Sequence, residues 1–90
     1  MRGGQFLKDA EAVRAWTEEA HAGDALMYFR GHLAMAADTS HAARELAEVV
    51  GWLYSEGLVT PVQQRLGKHD YRYVLQRTAA PAGGGARLAA

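Results

Sequence analysis

Thr39-Ser40-His41-Ala42-Ala43-Arg44-Glu45-Leu46-Ala47-Glu48-Val49-Val50-Gly51-Trp52-Leu53-Tyr54-Ser55-Glu56 reads as one capped helix, and Gly57-Leu58-Val59 closes it. Small polar residues stand at its start, where side-chain oxygens accept from free backbone N–H groups. Ala42, Leu46, Val49, Val50 and Leu53 recur at helical spacing and form one apolar stripe. Arg44, Glu45, Glu48, Ser55 and Glu56 fall on other faces. Trp52 lies off the centre of the stripe; the reading puts it partly under the following strands, with contact to a second chain as the alternative. Gly51 costs roughly 1 kcal/mol relative to Ala inside a helix, which suggests close approach by another backbone. Beyond Val59, Val62-Gln63-Gln64-Arg65-Leu66 and Tyr71-Arg72-Tyr73-Val74-Leu75-Gln76-Arg77 flank Gly67-Lys68-His69-Asp70. Two such runs around a Gly-containing loop of about four residues form a hairpin signal. Pro61 lacks a backbone donor, so it belongs at a sheet edge or before regular pairing begins.

Upstream, Asp9 is a candidate N-cap, and Ala10, Val13, Trp16 and Ala20 repeat at helical spacing until Gly23-Asp24. Trp16 is read as a core anchor. Ala25-Leu26-Met27-Tyr28-Phe29-Arg30 is short, apolar and bounded by glycines, which favours a buried strand. Gly31-His32-Leu33-Ala34-Met35-Ala36-Ala37 allows about two turns of helix. The turn-forming residues Asp38, Thr39 and Ser40 then separate it from the long helix. A short helix, a tight break and a longer helix make a helix-turn-helix element.

The expected order is helix, strand, helix, helix, strand, strand, over residues 9–78. This order, with the exit Glu56-Gly57-Leu58-Val59, resembles winged helix-turn-helix domains. The resemblance implies an α+β fold of three helices and a small three-stranded antiparallel sheet, whose hairpin is the wing. The run Tyr28-Phe29-Arg30-Gly31-His32-Leu33-Ala34 is also similar to small uncharacterised phage or prophage proteins. Residues 1–8 are expected to be a flexible N-terminus. Residues 79–90, rich in Ala and Gly, are expected to be a disordered tail.

Ninety residues with 49% hydrophobic content support one small core, and dimerisation is a reasonable way to bury more surface. The absence of cysteine excludes disulfides and thiolate metal sites, and a cytoplasmic location is expected. No apolar run approaches the roughly 20 residues of a membrane helix, and an N-terminal signal segment is not expected. The net charge is zero, yet the charges are divided. Up to Glu56, five Lys/Arg oppose nine acids, a balance of −4. From Gly57 onward, Arg65, Lys68, Arg72, Arg77 and Arg87 oppose Asp70 alone, a balance of +4. A basic hairpin on an acidic body suits a polyanion-binding arm.

Catalysis is not expected. His21, His32, His41 and His69 are scattered and lack the i, i+4 spacing of a helical metal site. No phosphate-cradling loop, HExxH motif or serine nucleophile motif is present, so neither cofactor nor metal is expected. The resemblance instead implies double-stranded DNA as partner and transcriptional regulation as role. It assigns Ser40, His41 and Arg44 to the groove, and Gln63, Gln64, Arg65, Lys68, His69 and Arg72 to the wing. Glu45 and Glu48 oppose DNA if they face it, because phosphate neutralisation dominates affinity. The alternative is a protein-binding winged helix using Trp52, Tyr54 and Tyr71 as a partner or dimer surface. A phage-encoded inhibitor of a host or defence nucleic-acid-binding complex would belong to that class. The direction of Glu45 and Glu48 relative to the hairpin distinguishes the two readings.

Overall fold

A computed structural model describes residues 6–80, with elements β1 (Phe6–Leu7), α1 (Ala10–Glu19), β2 (Ala25–Gly31), α2 (Leu33–Thr39), α3 (His41–Ser55), β3 (Val59–Gly67) and β4 (Asp70–Arg77). Each helix start carries the side-chain acceptor that an unpaired first turn requires. Asp9 accepts from the Glu11 N–H at 2.9 Å to open α1. His32 Nδ1 accepts from the Met35 N–H at 3.3 Å to open α2. Ser40 serves two helices. Its N–H donates to the Ala36 carbonyl at 2.9 Å, closing α2, while its Oγ accepts from the Ala43 N–H at 3.1 Å, opening α3. That double cap is why the turn between the two helices needs only one residue. Among the described residues, no helix is long and apolar enough to cross a membrane.

The exit of α3 is built as the sequence suggests. Gly57 takes φ +80°. Its N–H donates to the Tyr54 carbonyl at 2.9 Å, and the Leu58 N–H reaches back to the Leu53 carbonyl at 3.1 Å. These two bonds together are the Schellman arrangement, which satisfies terminal carbonyls and turns the chain sharply. The chain then enters β3 at Val59, which is buried.

The sheet is antiparallel in the order β1-β2-β4-β3. Its three longer strands are those expected, and with the three helices they give the α+β winged helix-turn-helix arrangement. The strand β1 is an addition of two residues on the edge. There Phe6 and Leu7 pair with Arg30 and Phe29, and the Lys8 N–H donates to the Tyr28 carbonyl at 2.8 Å. The expected flexible N-terminus of residues 1–8 is therefore corrected at residues 6–8; residues 1–5 lie outside the described residues. At the other end, Ala79 and Ala80 are part of the folded unit, because Arg77 Nη1 donates to the Ala80 carbonyl at 2.7 Å. The rest of the expected tail, residues 81–90, also lies outside the described residues.

Local details depart from the periodic reading. The first helix ends at Glu19 rather than at Gly23, and Gly23 instead turns the chain with φ +93°. The buried alanine of α3 is Ala43, with Ala42 exposed, because the stripe is centred one position on. Trp16 is half-buried; Val13 and Thr17 are the fully buried residues of α1. The Thr17 hydroxyl is satisfied there by donating to the Val13 carbonyl at 2.8 Å. A bulge in the β2–β4 pairing, between Met27 and Phe29, lets Tyr28 and Phe29 both be buried in succession. Burial pushes the Tyr28 hydroxyl pKa up to about 12, with charge repulsion from the Tyr73 phenol oxygen a lesser cause. The hairpin turn is Lys68-His69 alone, since Gly67 and Asp70 already pair.

The core is a single layer between the helices and one face of the sheet. Phe29, Leu46, Leu75, Val13 and Val59 are its fully enclosed apolar side chains. Tyr73 links the two layers, its hydroxyl accepting from the Leu33 N–H at 3.0 Å. Arg77 is the unexpected member of this interior, only 6% exposed. Its Nε donates to the Thr17 carbonyl at 2.7 Å. Its Nη1 donates to the carbonyls of Leu58, Thr78 and Ala80 at 3.2, 3.0 and 2.7 Å. A desolvated guanidinium persists only when such dipoles replace its water.

Gly51 makes no close approach: a methyl group added there would have nothing within 4 Å. Gly51→Ala should therefore raise stability by about 0.5–1 kcal/mol through helix propensity. Arg77→Met should lower it by about 2–4 kcal/mol, because carbonyls on three segments lose a charged donor. Urea titrations of both variants check the two signs, with the denaturant slope unchanged in each.

Candidate nucleic-acid interface and an acidic groove

Opposed residues in an antiparallel pair project to the same face, so register places the hairpin's side chains. Arg30, Arg72 and Gln64 align across β2, β4 and β3 on the face away from the helices. Arg72 Nη2 donates to Gln64 Oε1. Arg30 grips Asp70 through two bonds, Nε to Oδ1 at 3.3 Å and Nη2 to Oδ2 at 3.0 Å. The hydrogen bond from Arg30 holds the Asp70 carboxyl below its ordinary range. The hairpin's one acid is thus neutralised by a cation of β2, which leaves Arg65, Lys68 and Arg72 unopposed. Water screens this half-exposed pair, so its value lies in placing charge rather than in stability.

The strand β3 is exposed from Thr60 to Gly67, as befits an edge, and Pro61 sits there without losing a ladder partner on the open side. Gln63, Gln64, Arg65 and Lys68 are all exposed. Arg65 Nε donates to the Gly67 carbonyl at 3.2 Å, so part of its guanidinium steadies the turn. His69 adopts φ +57°, a conformation that His tolerates better than most residues. Its ring lies 5.6 Å from that of His32, whose ring meets Tyr71 edge-on at 5.7 Å. The hairpin tip is thereby held against the start of α2 instead of standing free. His32 and His69 are brought together by the fold, yet no group of three or more potential metal ligands exists among the described residues.

On α3, Ser40 uses its hydroxyl as a cap. His41 is exposed, with Nε2 3.7 Å from Glu45 Oε2, a contact that becomes an ion pair only when the imidazole is protonated. Arg44 is exposed, and among the described residues no ion pair joins it to Glu48, although their i, i+4 spacing permits one. Of the three candidate interface aromatics, Trp52 and Tyr54 are 53% and 60% exposed. Tyr71 is half-buried and packs against Tyr73 and His32.

Glu45 and Glu48 do not turn toward the hairpin. They line a groove of about 380 Å³ between α1 and α3, together with Asp9, Glu11, Arg14 and Trp52. Its most buried lining residues, Val49 and Ala10, form an apolar base. No hairpin residue lines it. The expectation that Trp52 lies under the hairpin is corrected: its indole forms part of the groove wall. The groove residues Asp9, Glu11 and Arg14 were absent from the sequence-based site. A partial signal exists in the spacing 45, 48, 49 and 52, the i, i+3, i+4, i+7 pattern of one helix face. The α1 half depends on how two distant helices pack, which spacing alone does not reveal.

Comparison with protein-family models, curated proteins and solved structures gives no match.

Proposed function

We propose that this chain is a small winged-helix DNA-binding protein that regulates transcription and contacts the duplex mainly through its hairpin. The observation that carries this reading is the direction of Glu45 and Glu48, which line the α1 side of α3 in a groove without hairpin residues. The acids are thereby drawn off the basic edge of the sheet. Arg65 and Lys68 approach phosphate from the turn, and Arg72 does so from the outer sheet face. Gln63 and Gln64 add neutral donors, and Arg44 is the cation α3 can offer. Phosphate contacts fix register but carry no sequence information, so this set supports backbone binding first. Three or four cations give weak, salt-sensitive affinity, with Kd on the order of 10⁻⁴ to 10⁻⁶ M for one copy.

A protein-binding role is the second reading, and Trp52 in its acidic setting is the observation that favours it. Trp is among the residue types that dominate binding energy at interfaces. The two readings use different surfaces and can be tested separately.

Binding of random duplex DNA, titrated across low and moderate salt, should give a slope of log K against log salt of about −3. Arg65→Ala with Lys68→Ala should reduce that slope by about two. Failure of the unmodified protein to bind at low salt would remove the DNA reading and leave the protein-partner reading in its place.

A further inference from the structure

We propose that the α1–α3 groove receives the hairpin tip of a second copy of this chain. The groove and the tip are complementary in charge, and each carries an apolar element. Four carboxylates, from Asp9, Glu11, Glu45 and Glu48, face a single cation, Arg14, in the groove. At the tip, Arg65 and Lys68 flank Leu66, which is 41% exposed. The acid nearest them in sequence, Asp70, is occupied by Arg30. Leu66, between Arg65 and Lys68 in sequence, offers an exposed apolar side chain at the basic end of the hairpin. The groove offers an apolar base beside a half-exposed Trp52, rimmed by acids.

Within one copy these two surfaces do not meet, since no hairpin residue lines the groove. The chain carries no net charge, so two copies do not repel at long range, while their divided charges favour a head-to-tail approach. A second copy supplies the matching tip at the same concentration as the groove. Contact between two different surfaces is heterologous, and it continues from copy to copy unless a ring closes. Its charges stay near water, so the association weakens with salt. The contact engages Arg65 and Lys68, the cations proposed for phosphate, yet it requires no DNA and is tested without it.

Solution mass by light scattering, with two charge-reversed variants, tests the proposal. At low salt the unmodified protein should exceed its 9.8 kDa monomer mass, and at high salt it should return to it. Glu45→Lys/Glu48→Lys reverses the groove, and Arg65→Glu/Lys68→Glu reverses the tip; each alone should remain monomeric at low salt. An equimolar mixture pairs the basic tip with the acidic groove and the reversed tip with the reversed groove, so it should associate in equal proportions, which also shows that both variants are folded. The proposal is overturned if the unmodified protein stays monomeric at low salt, or if either variant alone still associates. It is equally overturned if two variants with unchanged circular dichroism fail to combine. A DNA titration of the groove variant separates the two readings, because that variant keeps the whole hairpin and should still bind duplex.

Discussion

The guanidinium of Arg77 is the point on which the fold converges. It reaches the end of α1 through Thr17 and the exit of α3 through Leu58, and it holds the chain beyond β4 through Thr78 and Ala80. The backbone reinforces the same junction. The Gly23 N–H donates to the Arg77 carbonyl at 2.9 Å, and the Arg77 N–H donates to Asp24 at 2.8 Å. The Thr78 N–H and hydroxyl both reach Leu58. One residue thus fixes the base of the hairpin against two helices. Carbonyl dipoles stabilise its charge there, and among the described residues no carboxylate bridges it. A small core gains stiffness from such a junction that its few apolar side chains supply less well.

That placement changes how the molecule's charge is counted. The C-terminal balance of +4 includes Arg77, which is buried, and Arg87, which lies outside the described residues. The cations that can face a polyanion from β3, β4 and their turn are Arg65, Lys68 and Arg72. Their effectiveness depends on two arrangements elsewhere. Arg30 neutralises Asp70 on the outer sheet face, and the packing of α1 on α3 gathers Glu45 and Glu48 into the groove. The result is a polar molecule with distinct basic and acidic surfaces. Duplex DNA at the hairpin and a second hairpin at the groove are the partners proposed for them.

Much of the fold was legible because its determinants are local. Asp9 and Ser40 cap helices through atoms two or three residues away, and Gly57 closes α3 within five. The hairpin is written in two strand runs beside a short turn, and Pro61 correctly marks an edge. What escaped was long-range. Arg77 resembles any alternating strand cation until Thr17, 60 residues earlier, is placed beside it. Arg30 and Asp70 are 40 residues apart, and no pattern in either segment joins them. The bulge at Tyr28 defeats simple alternation, since two successive aromatics enter the core. The candidate wing residues were readable as exposed hairpin positions. The groove was not, because half of it belongs to α1.

The central claim is that the cations reaching a duplex lie in the hairpin while the acids of α3 stand apart from them. Amide chemical-shift mapping of dilute, monomeric, nitrogen-labelled protein during titration with a short duplex at low salt tests this most directly. The account predicts that perturbations concentrate on residues 63–72, with the Glu45 and Glu48 amides and the Trp52 indole N–H unmoved. Perturbation centred on Glu45, Glu48 and Trp52 with a silent hairpin would contradict it, as would a titration that moves nothing.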